Sequence, residues 1–217
     1  MNKLRQALFT RPRVLVLIIL SLVLGAGVTQ PIAANKFSSI QNQQNDKPKY
    51  YTRTRQTYVI PEMILVNQHG KNVHITELLN NDQPVLLQFV FTTCATICPV
   101  LSATFASAQQ SLQSIATNYR MVSISIDPEQ DTSQTLQEYA NRFKASAQWT
   151  LLTGTRDQIA RLQRAFNAYY PGNNKMYHLP YTYLRAANSS QWVRLEGLLS
   201  TQNLIEEYQQ VVSHSMQ

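Results

Sequence analysis

The residues most able to do chemistry are the only two cysteines of the chain, Cys94 and Cys98, which lie four positions apart. They follow an apolar run at residues 85–91, which predicts a fully buried strand, and Pro99 comes directly after the second cysteine. Proline is favoured in the first turn of a helix, and it keeps the residue before it out of helical geometry. We therefore predict a helix from Val100 to about Ile115, with Cys98 near its N-cap.

The start of a helix favours a negative charge, because its first N–H groups have no partner and its dipole is positive there. We therefore expect both sulfurs to be accessible and to have lowered pKa values. Two thiols in this position can form a disulfide or bind a soft metal. A disulfide that closes so short a loop restricts the unfolded chain little, so we favour a reactive pair over a structural crosslink.

The N-terminal segment, residues 1–34, has the pattern of a targeting sequence. Basic residues precede the apolar run at residues 14–24, and small residues end the segment at Ala33 and Ala34. A cleaved signal peptide and an uncleaved membrane anchor both fit this pattern. Either one predicts an exported domain, in the periplasm or on the outer face of the cytoplasmic membrane.

The composition limits the remaining possibilities. The chain has 217 residues, which suits one well-buried domain with appendages. The net charge is +7, but four of the 19 basic residues precede the apolar run and all 12 acidic residues follow it. The exported part is thus only mildly basic, and we expect no nucleic-acid binding. Residues 35–56 are rich in Gln, Asn, Ser and Lys, which predicts a flexible polar tether before a domain at residues 57–217.

Within that domain, apolar strands alternate with amphipathic helices. After a hairpin at residues 64–73, strands are predicted at residues 84–91, 119–126, 149–153, 179–185 and 191–195. Helical segments are predicted at residues 76–79, 100–115, 133–143, 156–170 and 200–213, with Thr132 and Thr155 as N-caps. This pattern favours an α/β fold, a central mixed sheet covered by helices on both faces.

Four motifs occur in order within residues 57–212: the cysteine loop Thr92–Val100, the segments Ser125–Thr132 and Leu152–Arg156, and His178, which lies five residues before Tyr183. The order of elements resembles a thioredoxin-like domain, and the four motifs resemble the Sco family, assembly factors of cytochrome c oxidase. A pair of cysteines alone would be weak support, whereas four ordered motifs at compatible spacing are specific.

The resemblance implies that Cys94, Cys98 and His178 bind one copper ion, as Cu(I) or Cu(II). Thiolates and imidazole suit such a soft metal, whereas structural zinc normally has four protein ligands. The implied partner is a copper-accepting oxidase subunit or another exported thiol or copper protein, and the N-terminal segment, if uncleaved, would hold the chain at the membrane. The task could be copper delivery or reduction of the cysteines of the oxidase copper centre.

Three acidic residues have two interpretations. The resemblance suggests that Asp131, with Asp127 and Glu129, lines a surface that faces the acceptor. Alternatively, Asp127 ends a strand and Asp131 belongs to the cap of the next helix. We favour this second interpretation.

The sequence departs from the family around the histidine, where Tyr177 replaces the usual acidic residue. It also carries Pro180 at the place where thioredoxins have a cis-proline facing their cysteines. We predict that the Leu179–Pro180 bond is cis and lies against Cys94.

That proline supports an alternative function, thiol–disulfide exchange without a stable metal. Cys94 would be the attacking residue and Cys98 the resolving one, with Pro180 beside them. Whether the chain is an enzyme therefore stays open. A peroxide-reducing enzyme would also need an arginine, such as Arg120 or Arg156, beside a cysteine.

Overall fold

The computed structural model describes residues 50–170 and 174–213. The strands of this part are β1 (Thr52–Thr57), β2 (Ile64–Asn67), β3 (Asn72–His74), β4 (Val85–Val90), β5 (Arg120–Ser125), β6 (Trp149–Thr153), β7 (Tyr181–Arg185) and β8 (Gln191–Glu196). Its α-helices are α1 (Ile75–Leu79), α2 (Ile97–Ile115), α3 (Ser133–Arg142), α4 (Arg156–Ala165) and α5 (Thr201–Ser213).

The eight described strands form one mixed sheet in the order β1-β8-β7-β4-β5-β6-β2-β3. The central strands β4, β5 and β6 are parallel, and all the other neighbouring pairs are antiparallel. Every residue of β4 is buried, as its continuous apolar run predicts.

Alternate residues of the strands face two separate cores. One core packs against α1 and α4 and contains Phe89 and Tyr183, whereas the other packs against α2, α3 and α5 and contains Leu86 and Leu184. Helices therefore cover both faces of the sheet, and the predicted α/β class is confirmed.

Local capping explains where the helices begin and end. The Thr155 side chain accepts a hydrogen bond from the Gln158 N–H and so caps α4, as predicted. However, α4 ends at Ala165 instead of near residue 170. Asn167 has a left-handed backbone (φ 53°), and the Ala168 N–H donates to the Gln163 carbonyl at 2.7 Å. These two features form a Schellman motif, which stops the helix.

The predicted boundary of the tether is wrong at its C-terminal end, because residues 52–56 belong to β1. This strand has no large apolar side chain, and its composition therefore resembles that of a linker. It is ordered by its pairing with β8 along its whole length and by an ion pair from Arg53 Nε to the buried carboxylate of Glu207 at 2.7 Å. The predicted N-terminal targeting segment and residues 35–49 lie outside the described residues. Among the described helices, none is long and apolar enough to cross a membrane.

The start of β1 lies at the same end of the sheet as the start of β7. Thr52 pairs with Glu196 of β8, and Glu196 pairs with Tyr181 of β7. Gly197 follows with a positive φ of 131°, and a Cβ atom there would lie 2.7 Å from the Tyr50 carbonyl oxygen. A glycine at this position thus lets the first described residues pass close to the end of β8.

Candidate metal and thiol site

The two cysteines lie at the junction between β4 and α2. The N–H of Cys94 donates to the carbonyl of Phe91 at 3.3 Å, which forms a turn directly after the strand. Helix α2 begins at Ile97, three residues earlier than predicted, so Cys98 is its second residue and not its N-cap. The N–H of Cys98 donates to the Cys94 sulfur at 3.4 Å. One unpaired N–H of the helix start is therefore satisfied by a cysteine.

Only part of the prediction about accessible, acidic thiols is correct. Burial alone would raise the pKa of Cys94, but hydrogen bonds from Cys98 and Thr96 outweigh it, and the pKa is lowered. The Cys98 sulfur is different, because this residue is completely buried and burial raises its pKa well above the ordinary range. Cys94 is only 6% exposed, although its neighbours Thr93, Ala95 and Thr96 are exposed. The Cys94 sulfur therefore lies directly beneath exposed loop residues.

His178 reaches the cysteines from a distant part of the chain. It follows a 3-10 turn at Lys175–Tyr177, and its Nε2 atom lies 3.3 Å from the Cys98 sulfur. Its Nδ1 atom lies 2.8 Å from the Lys175 carbonyl oxygen. Because a carbonyl can only accept, Nδ1 carries the proton and donates it, and Nε2 presents a lone pair to Cys98. Burial lowers the pKa of His178, which favours this neutral ring.

The prediction of a cis peptide bond before Pro180 is wrong, because the described residues contain none. The chain reverses here by another route. The Tyr181 N–H donates to the Leu179 carbonyl at 2.9 Å, and the Pro180 carbonyl accepts from the Gly197 N–H at 3.0 Å. A three-residue turn of this kind needs a central φ that proline supplies, so the trans form, the more stable one for most X–Pro bonds, is sufficient.

Asp131 lies beneath the cysteine loop and not on the surface. It is fully buried, and its carboxylate accepts hydrogen bonds from the Thr92 N–H at 3.1 Å and from the Ser125 hydroxyl at 2.6 Å. Burial raises the pKa of Asp131, although these hydrogen bonds oppose the shift. The suggested surface role of this residue is therefore wrong, and Thr132 is the residue that caps α3.

Asp127 and Lys175 form a second contact beneath the histidine turn. The ammonium of Lys175 makes an ion pair with the Asp127 carboxylate and lies 5.1 Å from the centre of the Phe91 ring. That ring in turn packs edge-on against the imidazole of His178, with 5.3 Å between the ring centres. Lys175 was not predicted as a site residue, and no local pattern indicates it, because its partner lies 48 residues earlier in the chain.

The structure brings the three predicted metal ligands close together: His178 Nε2 lies 3.3 Å from the Cys98 sulfur, and the side chains of Cys98 and Cys94 are in hydrogen-bonding contact. Within the described part of the chain, no three His, Cys, Asp or Glu side chains stand close enough to hold a metal ion as they are. The Cys94 sulfur is instead held by the N–H of Cys98 and lies 3.6 Å from the Thr96 hydroxyl. Ligation by all three residues would therefore need a rearrangement of the exposed loop.

The remaining candidates lie away from the site. Arg156 pairs with Glu129, and Arg120 donates to Gln83, so neither arginine is placed beside a cysteine by these contacts. The side chains of His69 and His74 are exposed. His214 falls outside the described residues.

The site combines two cysteines, at the turn between a central strand and a helix, with a histidine that precedes an antiparallel strand. This arrangement defines a thioredoxin-like domain adapted to thiol or metal chemistry. The SCO1/SenC family model matches residues 52–213, and the chain belongs to that family. It is 35% identical over 98 residues to the SCO1 protein homolog of Bacillus subtilis, which covers 45% of this chain and 50% of the relative. The chain spans about half the length of the curated relatives it matches first.

Solved structures of the same family have the same fold. Arabidopsis thaliana ScoI with copper bound overlays with a TM-score of 0.58 at 26% identity, covering 69% of this chain and 95% of that one. BsSco, described as a member of the Sco family of cytochrome c oxidase assembly proteins with a disulfide switch, overlays with a TM-score of 0.59 at 26% identity, covering 70% and 92%. These likenesses confirm the predicted thioredoxin-like fold.

Proposed function

We propose that this chain is an exported copper metallochaperone for cytochrome c oxidase assembly, which holds one copper ion through Cys94, Cys98 and His178. The observation that carries the proposal is the 3.3 Å approach of His178 Nε2 to the Cys98 sulfur. A lone pair on nitrogen and a sulfur at this separation can become two ligands of one ion after small movements. Copper-bound relatives of the same fold support the choice of metal.

The donor set fits copper better than a hard cation. Thiolate sulfur and imidazole nitrogen are ligands that copper binds strongly, and three ligands leave a position open for an acceptor. The chain's own residues prepare the site. Lys175 fixes the imidazole tautomer through its carbonyl, and the buried Cys98 thiol stays protonated until a metal displaces its proton.

Copper binding can be tested on the reduced, full-length chain without oxygen. Cu(I) affinity would be measured by competition with bathocuproine disulfonate, and Cu(II) binding by thiolate-to-copper absorption. We expect one tight ion per chain, with large losses in Cys94→Ser, Cys98→Ser and His178→Ala. His74→Ala is the matched control, because His74 is exposed. Absence of one-to-one binding, or a His178→Ala variant that binds like wild type, would contradict the proposal.

Delivery is a separate step with its own test. The copper-loaded chain would be mixed with a copper-free oxidase domain that contains the dinuclear copper centre, and the absorption of that centre would be followed. Transfer predicts that the absorption appears while this chain loses its copper. If the ion stays on this chain under all conditions, the chain stores copper and does not deliver it.

The export part of the proposal rests on residues 1–34. A fusion of this segment to a reporter that is active only outside the cytoplasm should be active, and fractionation should separate a cleaved signal from an anchor. A reporter that stays inactive would contradict export. Neither result of the export experiment would change the expectation for copper binding.

A second candidate function, thiol–disulfide exchange, is favoured by the lowered pKa of Cys94. In this reaction the Cys94 thiolate attacks one sulfur of a partner disulfide, forms a mixed disulfide and releases the partner's other thiolate. The Cys98 thiol then gives its proton to the partner thiolate that has left, and its sulfur attacks the Cys94 sulfur, which forms an internal disulfide and releases the reduced partner. Cys98→Ser should trap the mixed disulfide, whereas His178→Ala should still exchange. A cis-proline beside the cysteines was expected to support this function, but the bond before Pro180 is trans and does not provide that support.

A further inference from the structure

We propose that the ion pair between Lys175 and Asp127 is a latch that positions His178 against Cys98. This inference rests on the proposed copper function and adds a positioning residue to it. Lys175 would act through His178 and would not itself touch the metal.

The main chain and the side chain of Lys175 make different contacts. Its main-chain carbonyl accepts the Nδ1 hydrogen bond of His178 at 2.8 Å and also the His178 N–H at 3.2 Å. Its side chain is held at the other end by Asp127, and one third of that side chain remains exposed. The carbonyl that orients the ring therefore belongs to the same residue whose side chain makes the ion pair, three positions before the histidine.

Asp127 is a firm anchor for this latch. Its N–H donates to the Ser125 hydroxyl at 3.0 Å, and its carbonyl accepts from the N–H groups of Gln130 at 3.0 Å and Asp131 at 2.9 Å. Ser125 also donates to Asp131, which holds the loop at Thr92. The turn between β5 and α3 thus fixes both halves of the site, the cysteine loop through Asp131 and the histidine turn through Asp127.

Phe91 completes the geometry. Its ring contacts both the Lys175 ammonium and the His178 imidazole, with 5.1 Å from the ammonium to the ring centre and 5.3 Å between the two ring centres. A cation over an aromatic face and an edge-on ring contact are both favourable. Phe91 is the third residue before Cys94, so the latch reaches the cysteine loop from this side as well.

The outer side of the histidine turn faces solvent at two described residues. Met176 and Tyr177 are 55% and 68% exposed. A cavity of about 800 Å³ lies between this turn and α4, with Asp127 and Lys175 in its wall. Loss of the ion pair would therefore leave the turn room to move, and His178 would leave Cys98 without any change in the core.

The experiment compares Lys175→Met, Asp127→Asn and the conservative Lys175→Arg in the full-length chain. Outer contacts of metal-binding histidines typically change affinity by 10- to 100-fold, so we expect Lys175→Met and Asp127→Asn to weaken Cu(I) binding by about 10-fold in competition with bathocuproine disulfonate. Lys175→Arg should keep most of the affinity, because it retains the charge. Lys71→Met, which removes an exposed lysine in the hairpin, is the matched control and should bind like wild type.

A double variant tests whether the effect passes through His178. In a His178→Ala background, Lys175→Met should cause no further loss of affinity. An additional 10-fold loss there would overturn the proposal, because it would mean that Lys175 acts on the thiols or on the fold. Wild-type affinity in both Lys175→Met and Asp127→Asn would also overturn it.

A measurement on the metal-free protein separates this inference from the copper proposal. The Nδ1–H of His178 should give a slowly exchanging imidazole signal by NMR in the wild type, and this signal should broaden or exchange rapidly in Lys175→Met. If wild type binds no copper but the signal changes as expected, the copper function fails and the latch stands. If copper binds and the signal is unchanged by the substitution, the latch is wrong and the copper function stands.

Discussion

Asp131 connects the turn after β5 to the cysteine loop through Thr92, whose N–H lies 3.1 Å from the carboxylate. The Thr92 hydroxyl donates to the same carboxylate, and Ser125 donates to it as well. Thr92 is two residues before Cys94. A buried charge that is hydrogen-bonded on several sides therefore holds the loop that carries the first sulfur.

Asp131→Ala should strongly destabilise the protein, because it leaves the buried donors of Thr92 and Ser125 without an acceptor. We expect a loss of roughly 2–4 kcal/mol in the free energy of unfolding, measured with denaturant. Asp157→Ala, which removes an exposed acidic residue of α4, should change it by less than about 1 kcal/mol. Equal stability of Asp131→Ala and wild type would show that the network is not a structural support.

The buried, neutral His178 should make stability depend on pH. Burial lowers the pKa of this residue in the folded state, whereas the unfolded value is about 6.5. The unfolded chain therefore binds a proton first, and the free energy of unfolding should fall as the pH drops below about 6.5, until it passes the folded pKa. His178→Gln should remove this part of the slope, and His74→Ala should keep it. A slope shared by all three proteins would assign it to other groups.

The two cysteines should differ sharply in reactivity. Hydrogen bonds lower the pKa of Cys94, whereas burial raises that of Cys98. Iodoacetamide should thus modify Cys94 first, at a pH below 9, and reach Cys98 only when the protein unfolds. Mass spectrometry of wild type, Cys94→Ser and Cys98→Ser during a pH series would measure this. Faster modification of Cys98 would be incompatible with the described burial.

Arg185 should matter for stability without affecting the site. It is 2% exposed, and its guanidinium donates to the main-chain carbonyls of Asn81, Gln83, Ala186 and Ser189. Arg185→Met should lower the free energy of unfolding by roughly 2–4 kcal/mol, because four buried or half-buried carbonyls lose their donor. The rate of Cys94 alkylation in the folded protein should be unchanged, since Arg185 lies at the other end of β7. A matched substitution, Arg161→Met on the exposed face of α4, should be nearly neutral.

Sequence patterns were sufficient for elements with a clear local signal. The buried strand β4, the hairpin around Asn67 and the Thr155 cap were all predictable, because a continuous apolar run, turn residues and capping residues act within a few positions. The early end of α4 could have been read from Asn167, since asparagine is one of the few residues that adopts a left-handed C-terminal cap.

Other features depend on contacts that are distant in sequence. The polar composition of β1 does not indicate a strand, because this strand is stabilised by its pairing with β8. The burial of Cys98 follows from the packing of a whole helix against the sheet, and the role of Lys175 follows from a partner 48 residues away. In each case the environment of the residue, and not its local pattern, decides its role.

The register of β1, β8 and β7 has a practical consequence for work on this protein. Tyr50 and Thr52 adjoin the strand end next to Pro180, two residues after the imidazole. The chain consequently enters β1 at the end of the sheet that also carries the cysteine loop, and a fusion partner joined directly before Tyr50 would be attached at that end. Affinity handles belong after α5, and any shortened version of the protein should retain all of β1.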